Sequence, residues 1–126
     1  MKEVIETGLT TTAPLSQAVR AGDLVFVSGQ VPVDPATNSL VKDGVEKQTE
    51  VVLERIKLIL QAAGCSLTDV VKVTVFLTDI GNFAAMNRVY QRYFPVNPPA
   101  RSCVEAKLAI DAALEIEAIA YMPLKK

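Results

Sequence analysis

The chain has 126 residues, enough for one hydrophobic core but not two, so a single domain spanning residues 1–126 is expected. Half of its residues are hydrophobic, 21% are charged, and the net charge of −1 with no Lys/Arg run argues against a nucleic-acid partner. It contains no histidine, which excludes His-based triads, Cys–His nucleophiles and most zinc or iron sites, so acid–base chemistry falls to carboxylates, Tyr, Lys, backbone groups or water.

The first residues, Met1 to Glu6, carry no apolar signal core, and no stretch reaches transmembrane length, so the expected compartment is the cytoplasm. A short strand is expected near Val4. Gly22-Asp23 then separates Gln17–Arg20 from Leu24–Ser28, which reads as a β-hairpin with an Ala21-Gly22-Asp23 turn. At the end of its second strand, Ser28-Gly29-Gln30 offers a hydroxyl and a flexible backbone suited to close ligand approach. A plain strand-terminating turn explains it equally well, and it is too short for a phosphate loop. Pro32 to Gly44 reads as a loop.

From Val45 to Ala63 apolar residues recur at three and four positions (Val52, Ile56, Ile59, Leu60), predicting a helix that Gly64 ends. Val70–Leu77 is β-branched and alternating, as a strand requires. Asp79 or Asn82 can cap a second helix with the apolar stripe Phe83, Met86, Tyr90 and Tyr93 or Phe94. Asn87, in its middle, reads as an ordinary surface polar residue. Pro95 ends this helix, and two strands follow, over 100–108 and 113–121.

This order predicts an α+β domain, one mixed sheet covered by two helices on one face. In the last strand Leu114, Ile116, Ala118 and Ala120 point under the helices, while Glu115, Glu117, Ile119 and Tyr121 point the other way. Arg101, Cys103 and Glu105 alternate likewise. A face mixing carboxylates with Ile and Tyr is neither core nor solvent surface, and a second subunit is the economical cover, so a closed homo-oligomer is expected.

Arg101 opens the segment Pro99-Ala100-Arg101-Ser102-Cys103-Val104-Glu105, and a guanidinium entering a strand needs an anionic partner. That partner is either a protein carboxylate (Glu115, Glu117 or Asp111) or the carboxylate of a ligand. Glu115 is either a general acid/base that orients water or a strand carboxylate paired with a neighbour. Cys103 reads as a small packing residue. Cys65 and Cys103 have neither metal-ligand spacing nor a disulfide-rich context.

Taken together, Ser28-Gly29-Gln30-Val31-Pro32-Val33, Ala62-Ala63-Gly64, Val71–Phe76, Phe83, Asn87, Tyr90, Phe94, the Pro99–Glu105 segment and Glu115–Ala120 closely resemble the Rid family (RidA/YjgF), the reactive intermediate deaminases. The resemblance runs nearly end to end. It implies a chorismate-mutase-like α+β fold assembled as a homotrimer, with ligand clefts between adjacent subunits. It also implies hydrolysis of small 2-imino acids, released by PLP-dependent Ser/Thr dehydratases, to 2-oxo acids and ammonia, with no metal or organic cofactor. The carboxylate-binding arginine of the family falls on Arg101 and its water-orienting glutamate on Glu115. Its remaining substrate-binding positions fall on Ser28, Gly29, Asn87 and Cys103. Leu15 stands where deaminase members usually carry Tyr, which bears on the preferred side chain more than on the reaction. The competing readings are a regulatory protein that binds a 2-oxo acid without turnover, and a protein acting on RNA or translation.

Overall fold

In the computed structural model, which describes residues 1–123, a six-stranded sheet carries two helices on one face. The strands are β1 (Glu3–Val4), β2 (Ala18–Ala21), β3 (Leu24–Gln30), β6 (Val70–Leu77), β7 (Ala100–Glu105) and β8 (Leu114–Tyr121), in the order β1-β2-β3-β8-β6-β7. All neighbours are antiparallel except β6 and β7, which run parallel, so the sheet is mixed. Parallel neighbours require a crossover, supplied here by α2 (Phe83–Tyr93). The longer α1 (Val45–Ala62) links the hairpin half to the rest.

The core forms where the apolar stripe of α1 meets one sheet face. Val52, Leu53, Ile56, Ile59 and Leu60 pack over Val25 and Val27 of β3, Val73, Val75 and Leu77 of β6, and Leu114 and Ile116 of β8, all buried. Gly64 takes a positive φ of 80° just past α1, a conformation that ends helices and favours glycine. Between β2 and β3, Ala21 pairs with Leu24 across a two-residue Gly22-Asp23 turn, with Gly22 at φ 60°.

Two boundaries differ from the sequence expectation, and of the two offered helix caps Asn82 holds the position before α2 while Asp79 caps the turn that precedes it. The 32–44 segment is not all loop: β4 (Val33–Asp34) pairs with β5 (Ser39–Leu40). Asp34 accepts from the Ala36 amide, and Asn38 closes the hairpin at φ 57°. Asp79 caps a short 3₁₀ turn, accepting from the Gly81 amide at 2.8 Å, so α2 starts four residues later with no side-chain bond from Asn82. The strand expected over 100–108 stops at Glu105, where the Ala106 amide donates its last bond to the Leu77 carbonyl.

Candidate functional site

Arg101 lies on β7, at the edge of the sheet, opposite Val73 of β6. Paired residues of a parallel ladder share a face, so its side chain stands on the helix-covered side. There α2 presents Phe83, Asn87 and Tyr90, spaced to share one helix face. Arg101 Nη1 donates to Asn87 Oδ1 at 2.7 Å. Its guanidinium carbon sits 4.7 Å from the Tyr90 ring centroid and 5.5 Å from that of Phe83, within reach of the ring faces. No ion pair among the described residues includes Arg101. Of the three carboxylates the sequence offered as partners, Asp111 is paired with Lys42 at 2.7 Å. Glu115 and Glu117 alternate with buried Leu114, Ile116 and Ala118 and so stand on the opposite sheet face.

Cys103, two residues on, shares the Arg101 face opposite Val75. Burial pushes its thiol pKa up against the opposing pull of Arg101, so it is poorly suited to act as a thiolate nucleophile.

Glu115 pairs with Phe76 on the open face. Beside it β3 bulges: Val27 pairs with Ala118 but Gln30 with Ile116, leaving one extra residue in β3. Gly29 occupies the bulge, and a methyl group there would overlap the Glu115 carboxylate. The glycine is therefore what lets the carboxylate lie against the strand backbone. Burial first, and the charge of Glu117 second, raise the Glu115 pKa above the ordinary carboxylate value.

Leu15, Ser28, Gly29 and Glu115 line one cleft of about 680 Å³, joined by Gln30 and Arg55. Leu15 is half exposed at its wall. The Ser28 hydroxyl donates to the Ser16 carbonyl at 2.6 Å and its amide to the Gln17 carbonyl, which pins the strand end. The seven residues singled out from sequence thus form two clusters separated by the sheet: Arg101, Asn87 and Cys103 on one face, Leu15, Ser28, Gly29 and Glu115 on the other. Two features escaped the sequence reading. Tyr90 is core, as the apolar stripe of α2 predicts, but it and Phe83 also flank Asn87 at helical spacing and face the Arg101 guanidinium, which the stripe alone does not reveal. Arg55 was passed over, although an Arg between Leu53 and Ile56 breaks the apolar pattern of α1.

The fold is a single α+β layer pair, with one cluster of polar side chains on each face of its mixed sheet. The sequence profile of the endoribonuclease L-PSP family matches residues 5–122, and the chain belongs to this family, which includes the RutC and Rid proteins. A RutC family protein of Pyrococcus horikoshii is 52% identical over 124 residues, covering 96% of this chain and 98% of its own. TdcF of Escherichia coli, to which a reactive intermediate deaminase activity is provisionally ascribed, is 46% identical over 126 residues, 95% of this chain and 97% of its own. The crystal structure of TdcF with bound serine superposes with a TM-score of 0.89 over 94% of this chain and 98% of that one. A Thermotoga maritima crystal structure reaches 0.92 at 50% identity, covering 96% and 98%. Among the described residues no helix is long and apolar enough to cross a membrane.

Proposed function

We propose that this chain hydrolyses 2-imino acids to 2-oxo acids and ammonia, in a site assembled from two copies of itself within a homotrimer. The observation that carries this reading is Arg101: a guanidinium stacked on aromatic rings, oriented by Asn87 and paired with no carboxylate among the described residues. Such a fork recognises a small carboxylate bidentately. Glu115 stands on the other face of the same sheet, so one chain cannot bring both to one substrate. The glutamate-bearing face of one copy set against the arginine-bearing edge of the next does so.

In this reading the substrate carboxylate rests on Arg101 and the C=N carbon faces the neighbour's Glu115. Glu115 orients a water and takes its proton as the oxygen adds to carbon, giving a tetrahedral carbinolamine. The raised pKa makes the carboxylate a better proton acceptor. The same proton then passes to nitrogen, the regenerated carboxylate accepts the carbinolamine hydroxyl proton as the C–N bond breaks, and ammonia leaves with the 2-oxo acid. Gly29 keeps the carboxylate in place, Leu15 borders the side-chain space, and Ser28 and Cys103 shape the walls. The deaminase activity ascribed to TdcF, and the serine its crystal structure holds, support a site for small α-carboxylates. The endoribonuclease label of the family finds less support here, since a chain of net charge −1 offers phosphate little attraction.

The test generates the imine in situ with a Ser/Thr dehydratase and traps what remains with semicarbazide. Wild type should deplete the trapped signal. Arg101→Ala should lose about 2–5 kcal/mol of binding to a 2-oxo acid, together with hydrolysis, because it removes a partly desolvated charged contact. Full hydrolysis by Arg101→Ala would sink the proposal.

A further inference from the structure

Arg55 is only 6% exposed, yet it has no anionic partner among the described residues. It lies on α1 between buried Leu53 and Ile56, and its two hydrogen bonds go to neutral oxygens: Nε donates to Gln30 Oε1 at 3.0 Å, and Nη1 to the Val33 carbonyl at 3.0 Å. The Gln30 amide nitrogen donates in turn to Gln17 Oε1 at 2.9 Å and to the Ser28 carbonyl at 3.0 Å, which fixes the Gln30 oxygen toward Arg55. No carboxylate among the described residues lies within ion-pair distance of this guanidinium. Nη2 has no acceptor there either. It is not sealed in the core, because the only fully buried side-chain N or O atom without a partner among the described residues is Tyr90 Oη. Arg55 lines the Glu115 cleft, whose walls hold no other ionisable residue besides Glu115 itself. Burial alone pushes the Arg55 pKa down, with no carboxylate pulling it back. A buried cation kept without a counter-charge is costly, and one held rigidly at a cleft wall is prepared for an anion that arrives from outside.

We propose that Arg55 recognises a second carboxylate, carried at the end of the substrate side chain, so that the cleft favours dicarboxylic 2-imino acids. This rests on the deaminase reading and specifies its substrate. With the α-carboxylate on Arg101 of one copy and the imine carbon before Glu115 of the other, a side chain running along the cleft wall meets Arg55. A neutral side chain leaves that guanidinium unsatisfied.

Flavin-dependent amino-acid oxidases generate the needed imines, 2-iminoglutarate from glutamate and 2-iminopentanoate from the neutral amino acid of equal chain length. With semicarbazide trapping, wild type should show the higher kcat/KM on the dicarboxylic imine. Arg55→Gln should shrink that ratio by about tenfold or more, and Arg55→Lys should restore part of it. A wild-type preference for the neutral imine, or an unchanged ratio in Arg55→Gln, overturns the proposal. The latter is expected if a carboxylate of another copy neutralises Arg55 in the assembly. Should Arg55→Gln not fold, the wild-type preference and its change in Arg55→Lys decide. If wild type hydrolyses neither imine, the deaminase reading fails and calorimetry judges Arg55 separately. Tighter binding of 2-oxoglutarate than of 2-oxopentanoate, lost in Arg55→Gln, supports the second-carboxylate site, and equal binding overturns it.

Discussion

Glu115 bears a cost that its protonation reports. Its folded-state pKa is raised above the ordinary carboxylate value because burial disfavours the anion. A carboxyl so shifted binds its proton more tightly folded than unfolded, so its contribution to stability is fully present below the unfolded pKa. That contribution is lost as pH rises through the folded pKa. Glu115→Gln removes the ionisation and keeps the shape. The variant should therefore gain thermal stability relative to wild type at pH 7, and the gain should vanish as pH falls below the ordinary carboxylate pKa. Thermal melts of both proteins across this range check it. A gain that persisted in acid would mean that packing, not charge, sets the effect. The same variant should retain 2-oxo acid binding and lose hydrolysis, because an amide cannot take the proton of water.

Helix α2 positions three partners of Arg101, so its start matters to the site. Asp79 holds the turn before it through the Gly81 amide, and Glu105 Oε2 accepts from the Ile80 amide at 2.8 Å, tying that turn back to β7. Asp79→Ala should cost about 1 kcal/mol, read as a lower denaturant midpoint at unchanged slope. An unchanged midpoint would show that Glu105 alone secures the turn.

These elements also show what could be read in the chain beforehand. The span of α1, the Gly22-Asp23 turn, the Gly64 stop and the strand at Val70–Leu77 all follow from periodicity and punctuation, which are local signals. The β4–β5 hairpin was hidden because its strands are two residues each, too short for alternation to register. The face on which Arg101 stands was not readable, since it depends on the register of a parallel pair separated by a whole helix. For the same reason the stacking role of Tyr90 and the burial of Arg55 emerged only once distant strands were in place.

On the open side of the sheet, Phe26, Val71, Val104 and Tyr121 are 37%, 47%, 44% and 50% exposed. An apolar surface of this kind is what subunits cover. If one copy supplies Arg101 and its neighbour Glu115, two inactive variants can repair each other. Arg101→Ala and Glu115→Gln chains, mixed after denaturation and refolded together, should recover about a quarter of wild-type sites, as random pairing around a closed ring predicts. Each variant refolded alone should stay inactive. No recovery in assemblies shown by mass to be mixed would place both residues in one chain's site.

If the site is shared between copies as proposed, the separation of Arg101 from Glu115 by the thickness of a sheet has one more consequence, in the law of mass action. A catalyst completed only by association has no activity per chain that is independent of how many chains are present. Below the concentration at which copies come apart, specific activity should fall steeply with dilution, while an enzyme with a self-contained site would hold it constant. A freshly made chain, already folded but still alone, would therefore pass through the cell catalytically silent until it met its own kind.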